Sequence, residues 1–217
     1  KRYLQVSTDE VYGSLDDDGK FKENSPIDPS SPYSASKAAA DFLVNSFHKT
    51  YEMDTIITRC SNNYGQYQFP EKLIPLMILN TLSNKSLPVY GKGENIRDWL
   101  HVEDHCRGIL FALLRGNSGE VYNFGGECEL KNIEIVREIL SYMDGDKDLI
   151  KYVKDRLGHD YRYAMDIEKS RKELSWEPKI NFDEGLKFTI DWYVNNEEWV
   201  NSVLTKEYRE YYKNHYG

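Results

Sequence analysis

Cysteine is scarce in this chain. Cys60, Cys106 and Cys128 are an odd number without metal-ligand spacing, which argues against a disulfide framework or a zinc site and leaves buried thiols as the plain reading. Long apolar runs are lacking too. The stretch "GILFALL" from Gly108 to Leu114 falls far short of the roughly 20 residues a bilayer span needs, and no signal-peptide pattern opens the chain. The expectation is a soluble, cytoplasmic protein with no membrane partner. Positive charge is in deficit: 28 Lys and Arg against 36 Asp and Glu leave a net charge of −8, which opposes attraction to nucleic acid. No G-x-x-G-x-x-G occurs anywhere in the 217 residues, so a glycine turn that cradles a dinucleotide pyrophosphate at a helix N-terminus is missing.

What is present suits a buried core. The chain is 40% hydrophobic, and its length fits one domain or a domain with a small lobe. Tyr3 to Ser7 reads as a buried strand, Ser14 to Pro32 as a loop rich in Asp, Ser, Pro and Gly, and Ser34 to Tyr51 as a helix with apolar residues at helical spacing. Thr55 to Cys60 is a second strand, so strand, helix and strand predict a βαβ unit of a parallel sheet. Beyond it the spacing predicts a helix over 71–82 bent at Pro75, strands near 87–90 and 98–102, a helix over 102–114, and a strand and turn in "EVYNFGG". A helix over 132–143 capped by Asn132, a strand at "KYVKDR", and helices over 167–174 and 183–194 complete the reading. The fold class is therefore α/β, with a parallel sheet. Tyr208, Tyr211 and Tyr212 in the tail read as packing residues at helical spacing. The chain opens already inside a strand, so an upstream segment is expected.

Two short patterns carry chemistry. In "YSASK", Tyr33 and Lys37 stand four apart at a helix opening and share a face. A lysine cation beside a phenol lowers its pKa from about 10 and makes it a usable base. Alone, the pattern reads more simply as a solvated helix face. In "STDEVYG", Asp9 and Glu10 end a strand at the carboxyl edge of a parallel sheet, where ligands bind in open α/β folds. Adjacent carboxylates there can differ in protonation, one donating a proton and the other accepting.

"STDEVYG", "PYSASKAAAD", "RCSNNYGQYQFPEKLIP", "VYGKGENIRDWLHVEDH", "YNFGG" and "DRLGHDYRYAMD" follow one another in the order of the nucleotide-sugar 4,6-dehydratases, within the extended short-chain dehydrogenase/reductase superfamily. The chain resembles roughly the carboxyl two-thirds of such an enzyme. In that superfamily Thr8-Asp9-Glu10 resembles the dehydratases rather than the sugar 4-epimerases. The resemblance implies the C-terminal half of a Rossmann-like domain over 1–67 and 98–123, and a smaller nucleotide-sugar-binding lobe over 68–97 and 124–217.

It also implies an NAD-dependent lyase. Tyr33, assisted by Lys37, would take the proton of the sugar's 4-hydroxyl as hydride leaves C4. Glu10 would then remove the C5 proton while Asp9 protonates the departing C6 hydroxyl, and hydride would return to C6. Thr8 would hydrogen-bond near the 4-hydroxyl. Tyr33, Lys37 and Asn63 would stand on the cofactor side. Thr8, Asn62, Lys72, Leu73, Pro88, Tyr90, Arg97, Asn132, Arg156 and His159 would hold a nucleoside-diphosphate sugar, whose base, thymine or uracil, the residues leave open. Arg and Lys suit a diphosphate through charge-assisted hydrogen bonds. A homodimer joined through the helix of Tyr33 and the one centred on Ile109 is expected, and no metal. Leu157 stands where such enzymes show proline, which predicts a looser loop around Arg156 and His159. Without the glycine-rich turn, this stretch alone is expected to bind NAD poorly.

Overall fold

The computed structural model describes residues 1–156 and 158–204, so Leu157 and the tail tyrosines Tyr208, Tyr211 and Tyr212 lie outside the described residues. In chain order the elements are β1 (Tyr3–Thr8), a 3-10 turn (Asp9–Tyr12), α1 (Pro32–Tyr51), β2 (Thr55–Cys60), β3 (Asn62–Tyr64), α2 (Leu73–Leu82), β4 (Leu87–Tyr90) and β5 (Ile96–His101). There follow α3 (Val102–Arg115), β6 (Val121–Phe124), β7 (Glu129–Lys131), α4 (Asn132–Tyr142), a second 3-10 turn (Lys147–Leu149), β8 (Ile150–Val153), α5 (Glu168–Leu174), α6 (Phe182–Asn195) and α7 (Glu197–Val203). Among the described residues no helix is long and apolar enough to cross a membrane.

The chain divides into two compact units: Lys1–Asn63, Asn95–Leu130 and Leu157–Phe182 form the first, and Tyr64–Glu94, Lys131–Arg156 and Asp183–Gly217 the second. The expected boundaries differ chiefly at 158–182, expected in the lobe and lying in the first unit. The backbone explains it: Arg162 bridges to Leu15 and Ile96, and Met165 bridges to Phe21.

The first unit is built on a three-stranded parallel sheet in the order β1-β2-β6. Its register runs from Tyr3 opposite Thr55 to Thr8 opposite Cys60. Thr55 to Thr58 and Arg59 are buried, as befits a central parallel strand covered on both faces. The core gathers Val11, Tyr12, Ile56, Leu100, Tyr122, Phe124, Met165 and Trp176, with Phe124 edge-on to Trp176 at 4.6 Å. A second three-stranded sheet has the order β3-β5-β7.

In the second unit β4 pairs parallel with β8, Leu87 opposite Ile150 and Tyr90 opposite Val153. Here α2 begins at Leu73, two residues later than expected. Pro75 therefore sits in the first turn, where a missing N–H costs no helical bond, and the expected bend is not needed. The capping residue of α4 also differs from expectation. Lys131, not Asn132, holds the N-cap, and its N–H is taken by the Glu134 carboxylate at 2.7 Å.

Candidate active site

The carboxyl end of β1 runs directly into the turn that carries Asp9 and Glu10. Thr8 caps that turn: its Oγ1 accepts from the Glu10 N–H at 3.3 Å and donates to Asp9 Oδ1 at 3.2 Å. Extended backbone at Thr8 ends the strand, and the cap fixes where the two acids point. Nearby in the same unit, α1 opens with a reciprocal cap. Ser34 N–H donates to Ser31 Oγ at 3.1 Å and Ser31 N–H to Ser34 Oγ at 3.0 Å, with Pro32 at the first helical position. This start puts Tyr33 in the first turn and Lys37 one turn on.

The pair of acids is electrically asymmetric. Asp9 is 3% exposed, and its Oδ2 has no hydrogen-bond partner. Burial, aided by the charge of Glu10 and weakly by Asp98, pushes its carboxyl up to about 8, against the opposing pull of the Thr8 hydrogen bond and Arg97. Asp9 is thus protonated at neutral pH, as a proton donor must be. Asp98, also buried, accepts from the N–H groups of Gly126 and Cys128 at 3.1 and 3.0 Å, and burial raises it to about 6. The Cys60 thiol is pushed to about 12 by burial and then by Asp9, so it stays neutral.

Tyr33 corrects an expectation. Its hydroxyl is raised above the ordinary tyrosine value, first by burial and then by Glu10, Cys60 and Asp9. Lys37 is not among the groups that move it, and its ammonium donates to the Val6 carbonyl at 2.8 Å. Both acids are among the groups that raise the Tyr33 hydroxyl.

The remaining candidates of the first unit are anchored. Asn63 donates through Nδ2 to the Ser61 carbonyl at 2.9 Å, and its Oδ1 lies 2.8 Å from His105 Nδ1. His105, 7% exposed, is lowered to about 4 by burial, so the ring is neutral and its Nδ1–H donates to the amide oxygen. Arg97 gives its guanidinium to the carbonyls of Ile96, Tyr161 and Asp160 at 2.7, 3.3 and 2.9 Å, and stacks over the Tyr163 ring at 4.4 Å. Asn62 has a buried Oδ1 without a partner, and His159 is half-buried.

Lys72, Leu73, Pro88, Tyr90, Asn132 and Arg156 belong to the second unit. Pro88 is buried in β4, and the Arg156 guanidinium lies over the Tyr90 ring at 5.1 Å. Leu73 and Asn132 open α2 and α4, and Lys72 pairs with exposed Glu71 at 3.3 Å. Gly91, Lys92, Lys131 and Arg137, neighbours of Tyr90 and Asn132 in sequence, line a cavity of about 470 Å³.

Sequence reasoning passed over Asp98 and His105, although both stand inside the quoted "RDWLHVEDH". The available signal for Asp98 was its place in a strand that is buried without a break from Arg97 onward, where a carboxyl is out of place. His105 carried none, because what matters is its contact with a residue far away in sequence. Among the described residues no group of three or more His, Cys, Asp or Glu is placed to hold a metal ion.

Known proteins share this arrangement over nearly the whole chain. The dTDP-glucose 4,6-dehydratase of Xanthomonas campestris pv. campestris (strain B100) is 52% identical over 96% of this chain and 62% of its own length. The dTDP-glucose 4,6-dehydratase 1 of Escherichia coli (strain K12) is 46% identical over 99% of this chain and 64% of its own. A crystal structure of dTDP-glucose 4,6-dehydratase from Bacillus anthracis in complex with NAD superposes with a TM-score of 0.89, at 54% identity over 92% of this chain and 64% of that one. The chain thus spans a little under two-thirds of the length of these relatives. With the acid pair, the YSASK helix and the sheet edge all in place, and with residues 1–189 matching the family model described as GDP-mannose 4,6 dehydratase, the chain belongs to that dehydratase family.

Proposed function

We propose that the full-length gene product is an NAD-dependent dTDP-glucose 4,6-dehydratase, a hydro-lyase that converts the hexose of its sugar nucleotide to the 4-keto-6-deoxy sugar. One observation carries this reading: a buried Asp9, its carboxyl raised to about 8, stands next to Glu10 on a turn that Thr8 caps at the carboxyl end of β1. A sugar 4-epimerase has no use for an acid and a base side by side, whereas elimination of water across C5 and C6 needs both.

The residues present suit the nicotinamide end of NAD. Ser7 Oγ and Ser61 Oγ are buried without partners at the ends of β1 and β2, which favours a ligand that hydrogen-bonds there. Tyr33, Lys37 and Asn63 would hold that end. NAD, when bound, supplies the hydride acceptor for the carbon bearing the 4-hydroxyl and the donor for C6. Tyr33 then takes the hydroxyl proton, which requires its pKa to fall from the raised value it has here. Glu10 accepts the C5 proton, made acidic by the adjacent ketone, and Asp9 gives its proton to the leaving C6 hydroxyl, so that water departs and charge is conserved. Thr8 fixes the direction of the Asp9 carboxyl and caps the turn through the Glu10 N–H. In the first unit Asn62, Arg97 and His159, and in the second Lys72, Leu73, Pro88, Tyr90, Asn132 and Arg156, are each proposed as contacts of the nucleoside-diphosphate sugar.

A homodimer fits the surface. Phe42, Leu43, Phe47 and Tyr51 on α1 are 49–70% exposed, as are Leu110 and Leu114 on α3 at 49 and 68%. Such apolar helix faces favour burial against a second copy, which sedimentation would detect as a doubled mass. The experiment for the activity is incubation of the full-length protein with dTDP-glucose and NAD. Appearance of a product that absorbs in base, as 4-keto-6-deoxy sugars do, supports the reading; its absence overturns it.

A further inference from the structure

Tyr12 closes the turn that Asp9 opens, and the mechanism above gives it no task. It is 3% exposed. Its hydroxyl accepts from Arg59 Nη1 at 2.8 Å and donates to Asn123 Oδ1 at 2.9 Å, so both hydroxyl roles are filled by fixed partners. Arg59, on β2, donates through Nε to Asp41 Oδ2 at 2.9 Å, with both side chains buried, and its guanidinium lies 4.8 Å from the Tyr12 ring centre. Asn123, on β6, is saturated as well. Its Nδ2 donates to the Phe21 carbonyl at 3.1 Å, its N–H to Glu23 Oε1 at 3.0 Å, and its carbonyl accepts from Ser170 Oγ at 2.6 Å. The Tyr12 ring stacks on Phe21 at 5.0 Å.

The anchor at the far end is telling. Tyr33, Lys37 and Asp41 are spaced four and four along α1, so Asp41 continues the stripe that bears the phenol and its lysine. One hydroxyl is thereby tied, through Arg59, to the helix of Tyr33 and, through its own backbone, to the turn of Asp9 and Glu10. We propose that Tyr12 is a positioning residue, which sets the acid–base pair relative to Tyr33 through the chain Asp41–Arg59–Tyr12–Asn123. This rests on the dehydratase reading. Proton removal from the 4-hydroxyl needs Tyr33 alone, but elimination needs Asp9 and Glu10 both at their places, and misplacement of a reacting group by about 1 Å costs about a hundredfold in rate.

The test is Tyr12→Phe in the full-length protein, which keeps the ring and removes the oxygen. A single turnover with dTDP-glucose and NAD, quenched with borodeuteride and read by mass spectrometry, counts two products separately: sugar oxidised at C4 that retains its C6 hydroxyl, and sugar that has lost water. Expected is water loss slowed about tenfold to a hundredfold with oxidation at C4 changed less than twofold, so the hydroxylated ketone accumulates. The ratio is taken within one sample and does not depend on how much protein is folded. Equal slowing of both steps, or no change in either, overturns the proposal. Should Tyr12→Phe fail to fold, Asn123→Ser frees the hydroxyl from its other side and must shift the ratio in the same direction; failure of both to fold marks Tyr12 as a folding residue and also overturns it. If the unsubstituted protein makes no 4-keto-6-deoxy sugar, the dehydratase reading itself has failed, a result no Tyr12 variant can mimic.

Discussion

The Lys37 ammonium donates to the carbonyl oxygen of Val6 at 2.8 Å, joining α1 to the strand that ends in the acid pair. In this arrangement the lysine does not depress the phenol beside it. Burial, Glu10, Cys60 and Asp9 all raise the Tyr33 hydroxyl instead. Without ligand, Tyr33 should therefore titrate above the ordinary value of about 10, and Lys37→Met should leave that titration where it is. Phenolate absorbance, as a difference against Tyr33→Phe, measures both. A titration that begins near neutrality and moves upward in Lys37→Met would contradict this structure.

Asp9 costs the fold stability. Its carboxyl is raised to about 8, so between pH 4 and 8 the unfolded chain ionises it while the folded protein does not. Stability from this group is present in full below pH 4 and lost as pH rises through 8. Asp9→Asn removes the penalty and should stabilise the protein by on the order of 4 kcal/mol at pH 7. Chemical denaturation at pH 7 and pH 4 should show the gain at the first and little at the second. Turnover by the full-length variant should collapse, since an amide cannot deliver the proton.

Arg59 and Asp41 form a buried ion pair with side chains 5 and 2% exposed. Removing one partner leaves an uncompensated charge, and Asp41→Ala should cost about 3–5 kcal/mol. Pairing it with Arg59→Met should recover a large share, as apolar replacements of buried pairs do. Urea midpoints of the two single variants and the double variant give the coupling directly.

Gly126 ends the motif "YNFGG" against the strand below it. A Cβ there would stand 1.7 Å from the Trp99 carbonyl oxygen, a backbone atom that cannot swing aside. Gly126→Ala should therefore destabilise by more than about 2 kcal/mol, and because the same turn donates to Asp98, the carboxylate should lose a partner too. Thermal melts of the two proteins would show it; a shift of less than a few degrees would refute the close approach.

Much of this was legible in the letters. Apolar spacing placed α1 and β2 almost to the residue, because both rest on local periodicity, and α1 also on the proline at its entrance, Pro32. The acid pair and the Tyr33 stripe were legible for the same reason, their members being near neighbours in sequence. What escaped is non-local. Residues 158–182 join the first unit through bridges to Leu15, Phe21 and Ile96, partners far off in sequence that no window of residues reveals. The Tyr33 pKa went wrong likewise: spacing on a helix brings Lys37 to the right face but cannot say that a carbonyl on β1 claims its ammonium. Arg97 is similar, since its bonds to the carbonyls of Ile96, Tyr161 and Asp160 include partners far off in sequence.

His105 and Asp9 oppose each other in pH. The imidazole is lowered to about 4 from its ordinary 6.5 by burial, so between those values the unfolded chain takes up a proton that the folded protein refuses. Stability is thus lost as pH falls from 6.5 to 4, by up to about 3 kcal/mol, while over the same window Asp9 loses stability as pH rises. The two slopes nearly cancel, and the protein should show a flat stability profile from pH 4 to 6.5 as far as these groups decide it. Asp9→Asn exposes the histidine's slope, so the variant should lose stability toward pH 4 more steeply than the parent, and adding His105→Gln should flatten the profile again. Nitrogen-15 NMR supplies the independent check: the ring should remain neutral at pH 5, with its proton on Nδ1 facing Asn63. A ring that charges near pH 6.5 would remove the opposing slope and overturn the account of the flat profile.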